Sequence, residues 1–200
     1  MALSYDIAVH RDGRRTRLKW HRARRNAGDP VFTGRRILEG MARGASVEVD
    51  LVVHADRGYA VLHDETLERE TTGVGAVRQT PAAVLRQLHL KGADGTPLDD
   101  RVMLLEDLTA LLAGSELHRD GLLQLDFKQD AAALDDIAVA NFSEAVAPVA
   151  EHMILSSGDA DAVTILSAAV PGMRVGYDPC YGEILSRLRQ ELDSLISQGR

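Results

Sequence analysis

Glu48, Val49 and Asp50 put two carboxylates two residues apart within a run of strong β-formers, residues 45–53. Side chains at i and i+2 of a strand leave the same face. Both acids would therefore share one face of a strand that otherwise reads as buried. Two close, buried carboxylates repel each other and lose hydration. A hard divalent cation that prefers oxygen ligands, Mg²⁺ or Ca²⁺, would relieve both costs. The alternative is that one or both acids sit at the strand end, solvated or paired with arginine. His63-Asp64 closes the next apolar run and offers an imidazole able to exchange protons near neutral pH, although such a pair alone is equally an ordinary loop histidine. His21-Arg22 ends the first predicted strand. Its guanidinium fork suits phosphate oxygens, in a neighbourhood so rich in arginine that any one of them could be incidental. Asp126 and Lys128 project to one face of an apolar strand end, as a metal ligand with a phosphate-binding cation or as a structural ion pair.

Strands are expected over residues 15–20, 45–53, 59–63, 121–127, 152–156 and 173–177. Helices are expected over 33–43, 80–88, 104–112, 131–152, 159–169 and 181–198. Gly44, Gly114 and Pro171-Gly172 act as stops, and Pro148 interrupts the helix over 131–152 near its end. Alternation of apolar, β-branched strands with helices indicates an α/β fold with a buried, mostly parallel sheet of about six strands. The candidate residues fall at the C-terminal ends of successive predicted strands, where α/β barrels place their catalytic groups.

The 200 residues suit one domain spanning 1–200. With 45% apolar and 26% charged residues, the chain is neither disordered nor fibrous. No apolar run approaches the roughly 20 residues that span a bilayer. The charged N-terminal segment lacks the apolar centre of a secretory signal, so a cytoplasmic location is expected. The single cysteine, Cys180, excludes an internal disulfide or a cysteine zinc cluster, and it reads as a packing or surface thiol. Net charge is −7, divided between +7 over residues 1–43 and −14 over the remainder. The basic arm lacks interleaved aromatics, zinc ligands or a helix-turn-helix pattern, which argues against nucleic acid. A positive field beside an acidic, metal-capable region suits a small phosphate anion better. For Arg14, Arg15, Arg24 and Arg25 the plain alternative is a solvated basic face.

The stretch Gly44-Ala45-Ser46-Val47-Glu48-Val49-Asp50, together with His63-Asp64, Leu67, Arg69, Thr71, Gly73, Gly75 and Val77, resembles the glycerophosphodiester phosphodiesterase family in identity and spacing. Thr80, Leu85, Leu88 and the segment 104–108 continue the likeness, and His21-Arg22 and Asp126-Phe127-Lys128 align with its first His-Arg and its Glu-x-Lys strand. The resemblance implies a TIM-type (β/α) barrel and cleavage of a small glycerophosphodiester to an alcohol and glycerol 3-phosphate with a divalent cation. Carried over by position, Glu48, Asp50 and Asp126 would bind the metal. His21 and His63 would be the acid/base pair, and Arg22 and Lys128 would hold the phosphate.

Several positions depart from the family pattern. His-Arg-Gly is His21-Arg22-Ala23 here, and a Cβ narrows the options at that turn. Pro-Glu-Asn-Thr becomes Pro30-Val31-Phe32-Thr33, and a metal-binding glutamate becomes the shorter Asp126. About six of eight strands are legible, so the barrel reads as shortened at its C-terminus, with the atypical helix over 181–200, a second copy of the chain or truncation explaining the open edge. These departures leave two further readings: a catalytically impaired relative that binds a phosphate-containing ligand or partner, and a different enzyme on the same barrel, such as a lyase forming a cyclic phosphate.

Overall fold

The computed structural model describes residues 7–176. The predicted helix over 181–198, Cys180 and Tyr177 lie outside the described residues. The chain opens with an antiparallel ribbon, β1 (Ala8–Arg11) and β2 (Arg14–Arg17), before the short β3 (Lys19–Trp20) enters the main sheet. The single first strand expected over 15–20 is thus two elements. The exposed arginines of β2 pair with β1 away from the sheet, and only Trp20, almost fully buried, anchors β3.

Helix α1 (Gly34–Arg43) leads to β4 (Ser46–Val53), which lies at the centre of the sheet. Gly44 closes α1 in the left-handed conformation, φ +76°, a geometry glycine adopts without steric cost. Gly40 lets α1 lie close on the sheet: a Cβ there would stand 2.5 Å from Val47 Cγ2. That contact assigns Val47, Val49 and Leu51 to the helix-covered face of β4, and the strand period turns Glu48 and Asp50 to the other.

The expected strand over 59–63 is only β5 (Tyr59–Ala60), and it runs antiparallel to β4. It is a ribbon at the C-terminal end of β4, not a member of the parallel series. A long loop follows, stitched by backbone bonds such as Val77 N to Glu65 O (2.9 Å) and Leu67 N to Gly75 O (3.0 Å). Helix α2 (Ala82–Leu85) is shorter than expected, with Pro81 just before it as N-cap. A second ribbon, β6 (His89–Lys91) with β7 (Pro97–Arg101), was not expected; the Ala-Asp-Gly-Thr turn between its strands was its readable signal.

Helix α3 (Leu105–Ala113), β8 (Leu122–Phe127), α4 (Asp136–Val146), β9 (Met153–Ser157), α5 (Ala160–Ala169) and β10 (Arg174–Val175) complete the alternation. Asp135 and Asp159 cap α4 and α5 by accepting the N–H of Ala138 and Ala162. Pro148 falls in a kinked 3₁₀ segment after α4, as its missing N–H requires. The five parallel strands run in the order β10-β9-β8-β4-β3. The fold is α/β of the TIM-barrel type, and among the described residues no pairing joins β3 to β10. No helix among them is long and apolar enough to cross a membrane. The core lies between sheet and helices, where the Tyr59 ring meets Phe142 and Phe127 edge-on at 5.4 and 6.0 Å.

An ion-pair network ties α1 to the preceding loop. Arg36 holds Asp29 at 2.9 Å and Glu39 at 2.5 Å, and Arg25 and Arg43 reach Glu39 at 3.1 and 3.3 Å. Burial alone would raise both carboxyl pKa values. The N–H groups of Asn26 and Arg25 with Arg36 outweigh it at Asp29, and Arg36 does so at Glu39, so both lie below their usual 3.8 and 4.5. A depressed folded pKa stabilises above the unfolded value, and that stability is lost as pH falls through the folded pKa. Arg36→Ala is expected to cost about 1 kcal/mol near pH 6 and much less near pH 2.5. Urea unfolding at the two pH values checks this; an equal loss at both would contradict it.

Candidate active site

Strand register assembles the acidic centre. Asp50 of β4 stands level with Asp126 of β8, and Asp126 level with Ser156 of β9. Neighbouring strands are about 4.8 Å apart, so one row across three strands carries Asp50, Asp126 and Ser156 on a common face. Glu48 lies two residues earlier on that face. The carboxylate oxygens of Glu48, Asp50 and Asp126 can all be chosen within 4.8 Å of one another, and all three residues are buried. Lys128 Nζ lies 2.7 Å from Asp126 and 3.0 Å from Asp50. Ser156 donates to Asp126 at 2.6 Å and accepts from Gln124 at 2.8 Å.

The turn after β3 brings His21 and Arg22 over this row. The Arg22 backbone N–H donates to Glu48 at 2.7 Å, its Nε lies 3.3 Å from Asp50, and His21 Nε2 is 3.9 Å from Glu48. Arg22 and Ala23 both take positive φ, 53° and 58°. Held this way without glycine, the turn is strained by roughly 1 kcal/mol or more per residue. Ala23 is fully buried, and Phe32, also at positive φ, donates its N–H to the Arg22 carbonyl and holds the turn from behind.

His63 lies beyond β5 in the loop, not at a strand end. Its backbone N–H and that of Asp64 donate to Glu70, and its Nδ1 is 2.7 Å from Asp64 Oδ1. Arg69 grips Asp64 through two nitrogens. Those bonds hold the Asp64 carboxyl down at about 2. An ionised Asp64 accepts from Nδ1, which leaves Nε2 of a neutral His63 as the lone-pair nitrogen. Glu70 links the two halves, since its Oε1 lies 3.9 Å from Arg22 Nη1 while Oε2 fixes the His63 loop. Sequence reasoning named Asp64 only as the partner of His63 and did not single out Glu70 or Ser156. Glu70 and Ser156 are buried polar residues whose value depends on long-range partners, and nothing local marks them.

Asp50 has no exposure, and its oxygens face Lys128 Nζ at 3.0 Å and Arg22 Nε at 3.3 Å without a well-aligned hydrogen bond. Burial, then the charge of Glu48, pushes its carboxyl up to about 7; burial likewise raises Glu48. Burial and Arg22 lower His21. Three buried carboxylates whose oxygens can lie within 4.8 Å of one another form a hard all-oxygen donor set. The residues present fit a divalent cation, and His21, Arg22 and Lys128 stand within 3.9 Å of the three acids.

Residues 37–176 match the glycerophosphoryl diester phosphodiesterase family, and the chain belongs to that family. A glycerophosphoryl diester phosphodiesterase of Silicibacter pomeroyi superposes with a TM-score of 0.65 at 23% identity, over 80% of this chain and 63% of that one. A phosphodiesterase of Oleispira antarctica, solved with its product sn-glycerol 3-phosphate, gives 0.62 at 22% identity over 86% and 70%. An enzyme from Parabacteroides distasonis gives 0.59 at 20% over 84% and 56%. The chain thus spans less than two thirds of the S. pomeroyi and P. distasonis proteins. No curated protein matches the sequence.

Proposed function

We propose that the protein hydrolyses glycerophosphodiesters to an alcohol and glycerol 3-phosphate with a divalent cation, Mg²⁺ or Ca²⁺. The carrying observation is the trio of buried acids, Glu48, Asp50 and Asp126, whose carboxylate oxygens lie within 4.8 Å of one another beside His21, Arg22 and Lys128. In this reading the trio holds the cation, which neutralises charge gathering on the phosphoryl oxygens when bound. Arg22 and Lys128 orient the phosphate and add to that stabilisation. One imidazole of His21 and His63 takes the proton of the attacking hydroxyl, and the other protonates the departing alkoxide. The attacking hydroxyl is the glycerol hydroxyl next to the phosphoester: its oxygen bonds to phosphorus as the P–O bond to the alcohol breaks, and water then adds to the resulting cyclic phosphate, breaking its newly formed P–O bond to give glycerol 3-phosphate. Asp64 fixes the His63 tautomer and Arg69 fixes Asp64, so neither needs to touch the diester.

The test is release of glycerol 3-phosphate from glycerophosphocholine, with and without Mg²⁺ or Ca²⁺. Metal-dependent release is expected. Release no greater than from a His63→Ala control would refute the enzymatic reading, and diester binding without turnover would favour the impaired relative instead.

A further inference from the structure

Beside the candidate site, the turn after β3 and the β6–β7 turn enclose a cavity of about 460 Å³. It shares Arg22, Arg69 and Glu70 with the site, so it begins where the phosphate would sit. A different cavity, about 660 Å³, opens on the opposite flank beside Lys128, Gln129 and Ser157. The two substituents of a seated phosphodiester would therefore meet unlike surroundings.

The wall of the first cavity carries two cations that no carboxylate neutralises at close range. Arg24 is half-buried, and its guanidinium has no hydrogen bond or carboxylate partner among the described residues. Lys91 Nζ donates to the Glu68 carbonyl at 2.6 Å, an uncharged acceptor. The acids of the same wall are already engaged. Asp29 holds Arg36 and two backbone N–H groups, and Glu70 holds the His63 loop, Arg69 and Arg22. Asp94 accepts from the N–H and hydroxyl of Thr96. Val31 adds an apolar, uncharged side to the wall. A glycerol arm carries no charge and would gain little from two half-buried cations, whereas a substituent with its own anion would gain charge-assisted hydrogen bonds from both.

We infer that this cavity receives the alcohol arm of the diester and favours alcohols bearing a second anionic group, phosphate or carboxylate, through Arg24 and Lys91. The inference rests on the phosphodiesterase reading for what is cleaved, but its test reads binding separately. Two substrate pairs differ by a single anion: glycerophosphoinositol against its 4-phosphate, and glycerophosphoethanolamine against glycerophosphoserine. Calorimetry on the full-length His63→Ala protein should show about tenfold tighter binding of the more anionic member, with the preference shrinking as salt rises. In the Arg24→Ala/Lys91→Ala protein the members of each pair should bind within about twofold of each other. The less anionic members should keep their affinity, which also shows that the variant folds. Preference in one pair alone supports the inference and names the anion. Equal binding in both pairs, or a preference that survives the double substitution, overturns it. Hydrolysis of all four diesters without preference would leave the phosphodiesterase reading standing and remove this one. Selective binding without turnover would do the reverse.

Discussion

His63→Ala is expected to lower the rate of glycerol 3-phosphate release by about 10²–10⁴-fold, the usual worth of a positioned proton-transfer group, with almost no change in thermal stability. The separation of the two effects comes from where the residue sits. The His63 side chain is 30% exposed and belongs to a loop whose course is set by the Glu70 carboxylate on the backbone N–H groups of 63 and 64. Truncation leaves those bonds intact and opens no cavity in the core. Asp64 loses a partner but keeps Arg69. Paired measurements of kcat and Tm check the expectation. A variant that retains more than about a tenth of wild-type turnover would remove His63 from the chemistry, and a large fall in Tm would make it structural.

Asp50→Asn is expected to act in opposite directions on stability and on metal response. At pH 8 the wild-type carboxylate is ionised against the pressure of its surroundings, since its pKa is pushed up to about 7 by burial and by Glu48. Asparagine removes the like charge and keeps the shape, so the metal-free variant should be more stable by about 1–3 kcal/mol. Arg22 and Lys128 limit that gain because each loses a nearby acid, at 3.3 and 3.0 Å, while keeping others. In the wild type, divalent cation at about 100 times its Kd should contribute about 2.7 kcal/mol, or roughly 5–10 °C in Tm for a chain of this size. The variant should lose most of that shift, and its turnover with it. Thermal melts with chelator and with Mg²⁺ or Ca²⁺ decide the matter. A variant less stable than wild type in chelator, or one with an undiminished metal shift, contradicts the assignment of Asp50 as a ligand.

The acidic strand was legible because its evidence is local. Glu48 and Asp50 alternate with Val47, Val49 and Leu51, and a period of two residues puts the acids on one face whatever the rest of the chain does. The α/β class was legible for a similar reason, as apolar strands and capped helices announce themselves over windows of a few residues. Strand limits were less so. Residues 59–63 look like a barrel strand by composition, yet only Tyr59 and Ala60 pair, and they pair antiparallel to β4. Composition reports that a segment is apolar and buried; it carries no information about which edge it meets or in which direction.

What the amino-acid sequence determined by itself is therefore the class of fold, the identity of the candidate chemical groups and the family to which the chain belongs. What only the tertiary structure decided is their mutual arrangement. The register that sets Asp50 level with Asp126 and Asp126 level with Ser156, and the reach of Glu70 from the His63 loop to Arg22, depend on contacts between segments 30 or more residues apart. The physical reason is that strand periodicity is a short-range property of the backbone. A buried charge is instead set by every group that packs around it, and those groups are neighbours in space without being neighbours in the chain.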